Sequence, residues 1–318
     1  MTRSRAPCVS PLVQDHEAGR VSWEAEVVRL GLRLFIRPAD HSRTAITAQQ
    51  ARMKSYERWV PKPPKGTRTF DKPLGTIPAI RIARPNAEPG RTIFFLHGGA
   101  YITGSPGLYR HILWRFAEAA RAELIAIDYR LAPAHPFPAA LDDAISAWRA
   151  LLAEGADPKR AAFLGDSAGG GLALALALRL KDEGAPLPAA IAAIAPWTDL
   201  AASGESAAPG SADPMLRSAD LHAFAHHYLQ DQSALQPYAS PLYGDPRGLP
   251  PTLIQVGSDE ILLDDSVRMA ERLREAGSDC TLEIWPRMPH VWHAFAPLVP
   301  ESRRAIARVG AFIHAHVS

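Results

Sequence analysis

The sequence has little cysteine and no long run of uncharged apolar residues. Only two cysteines, Cys8 and Cys280, occur among 318 residues, and they lie far apart in the chain. This count favours free thiols over a disulfide framework and predicts a cytoplasmic protein. No apolar run reaches the roughly 18 residues that a membrane span needs, and the N-terminal segment lacks the apolar stretch of a signal peptide.

The sequence also lacks a cluster of basic residues and a recognisable metal-ligand pattern. Lys and Arg are spread among acidic residues, and the formal net charge is only +2, which argues against a nucleic-acid partner. His222 and His226 are four residues apart, but no carboxylate or third ligand follows at a fitting spacing. We therefore expect no metal site. With 47% hydrophobic and 21% charged residues, the chain has the composition of a globular protein with a sizeable core.

Short apolar segments alternate with Ala- and Leu-rich helical patterns along most of the chain. Six segments are predicted strands, and each ends in a polar or turn-forming cluster: Arg91–Gly99, Glu123–Arg130, Ala161–Ser167, Ala189–Trp197, Pro251–Asp259 and Cys280–Pro286. Helices are predicted near 110–121, 138–154, 169–183, 262–276 and 301–316. This alternation predicts an α/β fold with a mostly parallel sheet between two layers of helices.

Two regions interrupt this alternation, and we expect neither to belong to the sheet. Residues 1–70 contain the amphipathic segment Trp23–Phe35, a second helical stretch near 46–59 and the Pro/Lys-rich link Pro61–Gly66. An insertion at about 200–240 contains the segment Leu221–Gln230. Both regions are long enough to cover the edge of the sheet where ligands bind in open α/β sheets. We predict a helical cap over a catalytic domain of residues 71–318.

The segment Gly165-Asp166-Ser167-Ala168-Gly169 has the form G-x-S-x-G between a predicted strand and a predicted helix. A sharp turn at this junction strains the backbone of its central residue and requires small neighbours. It would raise the Ser167 hydroxyl above the sheet at the start of a helix, where amide groups point toward developing negative charge. We therefore predict that Ser167 is a nucleophile rather than a surface serine in a glycine-rich turn.

A serine nucleophile needs a base and an orienting acid, which follow it in the chain order Ser, acid, His in this architecture. His290 lies just beyond the last predicted strand, and its neighbour Pro289 keeps this stretch in a loop. His293 is the competing base, and we expect it nearer the rim of the pocket. Asp259 directly follows a predicted strand and is the predicted acid; the other candidates are Asp199, Asp264 and Asp265.

The segment His97-Gly98-Gly99-Ala100-Tyr101 ends the first strong predicted strand. Glycine amides in an unobstructed loop can approach an oxyanion closely, and this form is typical of lipases and esterases. We predict that Gly98, Gly99 and Ala168 donate to the oxyanion, and that His97 holds the loop.

These segments together resemble the bacterial hormone-sensitive-lipase-like esterases of the α/β-hydrolase superfamily. The resemblance covers about residues 90–316 and includes HGGAY, GDSAGGG, DYRLAPAHPFPAALDD, GSDEILLDD and MPHVWHAF. Two positions depart from the family pattern: Ala100 replaces a frequent third glycine, and Ala134 replaces the usual glutamate. The resemblance implies that the N-terminal helices and the insertion form a cap above the substrate pocket. Candidate pocket residues are Tyr101, Asp166, Trp197, Phe224 and Tyr228.

The sequence is therefore interpreted as a serine hydrolase without a cofactor, acting on carboxylic esters of short to medium acyl groups through an acyl-enzyme. A lactone or amide hydrolase with the same residues is an alternative. A second alternative is a ligand-binding protein similar to plant gibberellin receptors, which resemble this family but lack the catalytic histidine. His290 argues against the receptor interpretation. The sequence leaves open whether the chain forms a homodimer.

Overall fold

The structure is a computed structural model that describes residues 13–14, 21–35 and 41–317. Its strands are β1 (Val13–Gln14), β2 (Arg68–Asp71), β3 (Ala79–Ala83), β4 (Thr92–Leu96), β5 (Glu123–Ile127), β6 (Ala161–Asp166), β7 (Ala190–Ile194), β8 (Thr252–Gly257) and β9 (Cys280–Trp285). Within these ranges the strands form one sheet in the order β1-β9-β8-β7-β6-β4-β5-β3-β2. Neighbouring strands from β1 through β5 in this order are parallel.

Helices cover both faces of the sheet, as the alternating pattern predicts. They are α1 (Trp23–Phe35), α2 (Arg43–Tyr56), α3 (Pro106–Ala119), α4 (Ala139–Ala153), α5 (Ala168–Asp182), α6 (Ser218–Leu229), α7 (Leu263–Glu275) and α8 (Pro300–His316). Successive side chains of a strand point to opposite faces. Phe94 accordingly packs into the apolar cluster with α4, α5 and α7, while Ile93 and Phe95 pack into the cluster with α3 and α8.

The N-terminal region differs from the prediction, because parts of it join the sheet. Strand β1 pairs in parallel with β9 at one edge, and β2 begins at Arg68 and pairs antiparallel with β3 at the other. Strand β3 in turn pairs antiparallel with β5. Strands β1 and β2 are short, and every residue of β2 is exposed. They therefore lack the apolar signal by which buried strands are recognised.

The two predicted cap regions form helices beside the carboxyl ends of the parallel strands. Helix α1 has the predicted bounds, and α2 begins at Arg43, where the Ser42 side chain accepts a hydrogen bond from the amide of Ala45. The insertion contributes α6. None of the helices in the described ranges combines the length and apolar character required to cross a membrane.

Candidate active site

Ser167 lies at a sharp turn between β6 and α5. Its backbone has φ 53° and ψ −124°, a conformation that a non-glycine residue adopts only when its surroundings enforce it. The Ser167 amide donates to the Ile194 carbonyl at 2.8 Å, and its carbonyl accepts the amide of Trp197 at 2.9 Å. These bonds hold the strained residue to the adjoining strand and the loop after it.

Close packing explains the two glycines that flank this turn. A Cβ atom at Gly165 would lie 2.2 Å from the Gly169 carbonyl oxygen, and one at Gly169 would lie 2.1 Å from the Leu96 carbonyl oxygen. Both neighbours are backbone atoms, which cannot move aside as a flexible side chain can. Glycine is therefore sterically required at both flanking positions of the G-x-S-x-G motif.

His290 lies in the loop after β9, as the sequence predicts, and its ring reaches Ser167. The His290 Nε2 and Ser167 Oγ atoms are 2.9 Å apart. His293 is fully buried, and its Nε2 lies 2.8 Å from Oε1 of Gln255, a residue of β8. His293 thus lies within the core and not at the pocket rim, where we expected it.

Glu260, and not Asp259, is the carboxylate that contacts His290. The His290 Nδ1 and Glu260 Oε2 atoms are 2.7 Å apart, and Glu260 Oε1 accepts the amide of Gly257 at 2.7 Å. Asp259 instead forms an ion pair with Arg29 of α1. The prediction of Asp259 is wrong because the chain turns after β8, which directs residue 260 inward and residue 259 toward α1. The sequence does show a second carboxylate, Glu260, directly after Asp259. Position at a strand end alone cannot decide which of two neighbouring carboxylates contacts the histidine.

At His290 and Glu260, burial and the attraction between the two side chains shift each pKa in opposite directions. Burial alone lowers the pKa of the His290 imidazole, but its hydrogen bond to Glu260 and the charge of that carboxylate raise the pKa above its ordinary value. Burial raises the pKa of the Glu260 carboxyl, against the hydrogen bond and charge of His290, which lower it. The imidazolium form of His290 is therefore stabilised by its partner.

The three other candidate acids lie away from His290. Asp265 is buried and accepts the amides of Thr198 and Asp199 at 2.7 and 2.8 Å. Asp199 pairs with Arg268 at 2.9 Å, and Asp264 accepts the amide of Ser206 at 2.9 Å. These carboxylates connect the insertion with the start of α7.

The glycine loop after β4 differs from the prediction at one amide. The Gly98 amide donates to Asp166 Oδ1 at 3.0 Å and is therefore already occupied. No acceptor in the described ranges receives the amides of Gly99, Ala100 or Ala168. Ala100 has φ 56°, so this alanine holds a left-handed conformation that glycine adopts more readily. The free amides thus belong to Gly99 and Ala168, two of the three predicted donors, and to Ala100, whereas the amide of the third, Gly98, is occupied.

Asp166 connects the turn at Ser167 to the glycine loop. One of its carboxylate oxygens accepts the Gly98 amide, and the other accepts the Tyr109 hydroxyl at 2.8 Å. Burial raises the pKa of Asp166 to about 6, although both hydrogen bonds lower it. Asp166 thereby fixes the position of the loop that carries the free amides.

His97 has the structural position expected of it. Its ring stacks on Tyr129 with the ring centroids 4.2 Å apart, and its Nδ1 lies 2.8 Å from the Gly98 carbonyl oxygen. The Tyr129 hydroxyl donates to the His97 carbonyl at 2.5 Å. These contacts hold the strand end from which the glycine loop begins.

A cavity of about 470 Å³ opens onto Ser167 and His290. Of the predicted pocket residues, Asp166, Trp197 and Phe224 line it. Tyr101 and Tyr228 do not: they are buried and stack on each other with ring centroids 3.8 Å apart. Both aromatic rings serve core packing, so their prediction as pocket residues is wrong.

Most of the apolar wall of this cavity was not predicted from the sequence. Apolar side chains from α2, α3 and α6 and from the loops around the site complete it, beside the polar Gln49 of α2: Met53, Leu108, Ile112, Met215, Leu216, Leu221, Leu262, Val291, Ala294 and Phe295. Aliphatic residues on helices are usually core residues, so only their convergence in space identifies them. The volume lies within the roughly 300–1,000 Å³ typical of small-molecule sites.

Comparisons with known proteins agree with this geometry. The alpha/beta hydrolase fold family matches residues 93–294. An acetyl-hydrolase of Streptomyces hygroscopicus is 48% identical over 231 residues, covering 72% of this chain and 77% of the relative. An esterase of Acinetobacter venetianus is 38% identical over 249 residues, covering 76% of this chain and 82% of the relative.

A solved structure gives the same result over nearly the whole chain. The crystal structure of an esterase from the bacterial hormone-sensitive lipase family has a TM-score of 0.86 and 38% sequence identity. The match covers 93% of this chain and 99% of that chain. This chain therefore belongs to the alpha/beta hydrolase fold family and is an ester hydrolase of its hormone-sensitive-lipase-like branch.

Proposed function

We propose that this ester hydrolase works through a Ser167–His290–Glu260 triad and acts on carboxylic esters with short to medium acyl groups. The observation that carries the proposal is the continuous chain of short contacts from Glu260 to His290 to Ser167 at the floor of an apolar cavity. Nucleophile, base and orienting acid are thus in hydrogen-bond reach of one another.

The reaction begins when Ser167 Oγ attacks the ester carbonyl carbon and His290 Nε2 takes the serine proton. Glu260 accepts a hydrogen bond from the Nδ1–H group of His290, which sets the tautomer that leaves Nε2 free to act as a base. The tetrahedral intermediate expels the alcohol, which receives the proton from His290. A water molecule then attacks the acyl-enzyme by the same route and releases the acid.

The negative charge that develops on the carbonyl oxygen needs fixed donors. We assign this role to the amides of Gly99, Ala100 and Ala168, because none of them donates to another described residue. The Gly98 amide contributes indirectly, since its bond to Asp166 fixes the loop. Losing a single oxyanion donor typically slows turnover by roughly 10²–10³-fold.

The substrate class follows from the walls of the cavity. Met53 of α2, Phe224 of α6 and Trp197 line the cavity that opens onto Ser167. These side chains offer apolar surface to an acyl chain within about 470 Å³, which favours short and medium chains over long ones. The name of the Streptomyces relative, an acetyl-hydrolase, supports this assignment.

The test is a series of p-nitrophenyl esters from acetyl to dodecanoyl, measured beside a panel of lactones. We expect kcat/KM to be highest for short chains and to fall as the acyl chain outgrows the cavity. A fluorophosphonate probe should label the wild type but not Ser167→Ala. Rapid lactone hydrolysis with negligible ester hydrolysis would contradict the proposed substrate class, and labelling of Ser167→Ala would contradict the nucleophile.

A further inference from the structure

Arg29 is a buried cation on the inner face of α1. It is only 4% exposed, and its guanidinium contacts Asp259 in the loop after β8 and Glu26 on its own helix. A buried guanidinium needs such partners, because taking a charge out of water is costly. The contact with Asp259 joins the N-terminal helix to the residue directly before Glu260.

The loop that carries Glu260 has little support from packing on its outer side. A cavity of about 280 Å³ borders Ser258, Asp259 and Glu260, and the insertion forms its opposite wall. Ile261 and Leu262 anchor the inner side of this loop in the core. Polar contacts hold the outer side: the Ser258 amide donates to the Trp285 carbonyl at 2.9 Å, and the Ile261 amide donates to Asp213 Oδ2 at 2.9 Å. The Arg29–Asp259 ion pair restrains the segment between these two attachments.

A second set of contacts connects α1 with the loop that carries His290. Glu26 accepts hydrogen bonds from Arg287 at 2.7 and 2.9 Å, and the Arg287 amide donates to Ser258 Oγ at 2.8 Å. Ser258 Oγ in turn donates to Asp259 Oδ1 at 3.0 Å. Helix α1 therefore contacts both loops that present the base and the acid to Ser167.

The opposite face of α1 makes no comparable contacts with the residues that the structure describes. Its apolar side chains at successive helical turns are exposed: Trp23, Val27, Leu30 and Leu34. Only the inner face, which carries Ala25 and Arg29, is buried. The contacts of Arg29 and Glu26 hold this inner face, together with hydrogen bonds from Ser22 to Glu301 of α8 at 2.9 and 2.8 Å and the packing of Ala25 against the Trp285 cluster.

We propose that Arg29 and Asp259 are positioning residues: their ion pair holds the loop after β8 so that Glu260 stays against His290. This inference rests on the proposed function, in which Glu260 is the acid of the triad. Through this pair, docking of helix α1 affects turnover, although none of the residues of Trp23–Phe35 lines the cavity that opens onto Ser167. Neither residue touches the substrate or the reacting atoms.

The test is a double-mutant cycle with Arg29→Met, Asp259→Asn and the double variant, assayed on p-nitrophenyl acetate. Coupled residues typically have interaction energies that correspond to severalfold to about a hundredfold effects. We expect each single variant to lower kcat by about tenfold with little change in KM, and the double variant to be no slower than the slower single variant. Arg29→Lys, which keeps the charge, should recover part of the loss.

Arg33→Met is the matched control, because Arg33 is an exposed cation on the same helix whose one hydrogen bond to a described residue is to the Ala212 carbonyl at 3.3 Å. It should retain the wild-type kcat. A merely structural role predicts lower thermal stability of Arg29→Met with an unchanged kcat below the unfolding transition, and that result would overturn the inference. Multiplicative losses in the double variant would also overturn it.

Glu260→Gln separates this inference from the proposed function. A severe loss in Glu260→Gln with wild-type kcat in Arg29→Met and Asp259→Asn would contradict the positioning role alone. Wild-type turnover in Glu260→Gln would contradict the triad itself and the positioning role with it.

Discussion

The β6–α5 turn and the β8–α7 loop are both strand-to-helix connections at the same edge of the sheet, but their sequences are informative to different degrees. At the first, Gly165 and Gly169 meet backbone atoms that leave no space for a side chain. At the second, two carboxylates are adjacent, and only the path of the loop decides that Glu260 faces His290 and Asp259 faces Arg29.

The difference shows where a short motif is sufficient. A turn constrained by backbone sterics can be recognised locally, because few residues satisfy it. The β8–α7 loop cannot be recognised locally, because its side chains contact α1 and the loop after β9, which are distant in the chain.

The largest expected effect separates the two histidines after β9. His290→Ala should lower turnover of a short-chain ester by roughly 10⁴–10⁶-fold, because members of a triad act as a unit. His293→Ala should keep activity within about tenfold, since His293 contacts Gln255 rather than Ser167. Steady-state kinetics of both variants decide the matter, and an inactive His293→Ala beside an active His290→Ala would reverse the assignment.

The second prediction compares the two adjacent carboxylates. Glu260→Gln should lower kcat by roughly 10²–10⁴-fold, because the amide cannot stabilise the imidazolium and favours the wrong tautomer of His290. Asp259→Asn should cost about tenfold, because it acts only through the loop. Equal losses in the two variants, with both proteins folded by circular dichroism, would contradict the different roles assigned to Glu260 and Asp259.

The third prediction concerns the link between the nucleophile turn and the glycine loop. Tyr109→Phe removes a hydroxyl that donates to Asp166 at 2.8 Å, and a lost hydrogen bond to a charged group is worth about 1.5–3 kcal/mol. We expect kcat to fall by roughly tenfold while KM changes little, since the effect on the oxyanion amides is indirect. Unchanged kcat would mean that the Gly98 amide alone is enough to hold Asp166.

The smallest expected effect is a shift in the pH dependence. Only neutral His290 can accept the serine proton, so activity is lost as the pH falls through its pKa. Glu260 raises that pKa above the ordinary value of 6.5. The acidic limb of kcat/KM should therefore lie above pH 6.5, and in the residual activity of Glu260→Gln it should move to lower pH. A limb that Glu260→Gln leaves unmoved would contradict this electrostatic coupling.

Much of the fold could be predicted from the sequence because its central strands are short apolar runs with clear ends. Strands β4–β9 and helices α3, α4, α5, α7 and α8 lie within a few residues of their predicted positions. Three strands were missed: β1 has only two residues, β2 is fully exposed, and β3 is a five-residue segment with Arg81 at its centre, although most of it is buried. Partners on neighbouring strands, and not local pattern, make these segments part of the sheet.

The sequence by itself determined the α/β alternation, the position of Ser167 and the place of His290 after the last strand, because local sterics and periodicity constrain each of them. Tertiary structure decided that Glu260 rather than Asp259 contacts His290, that the Gly98 amide is taken by Asp166, and that Tyr101 and Tyr228 stack within the core. In these cases the chemistry of the residue type allows either outcome. Only the direction of each side chain, fixed by contacts with residues distant in the chain, selects one of them.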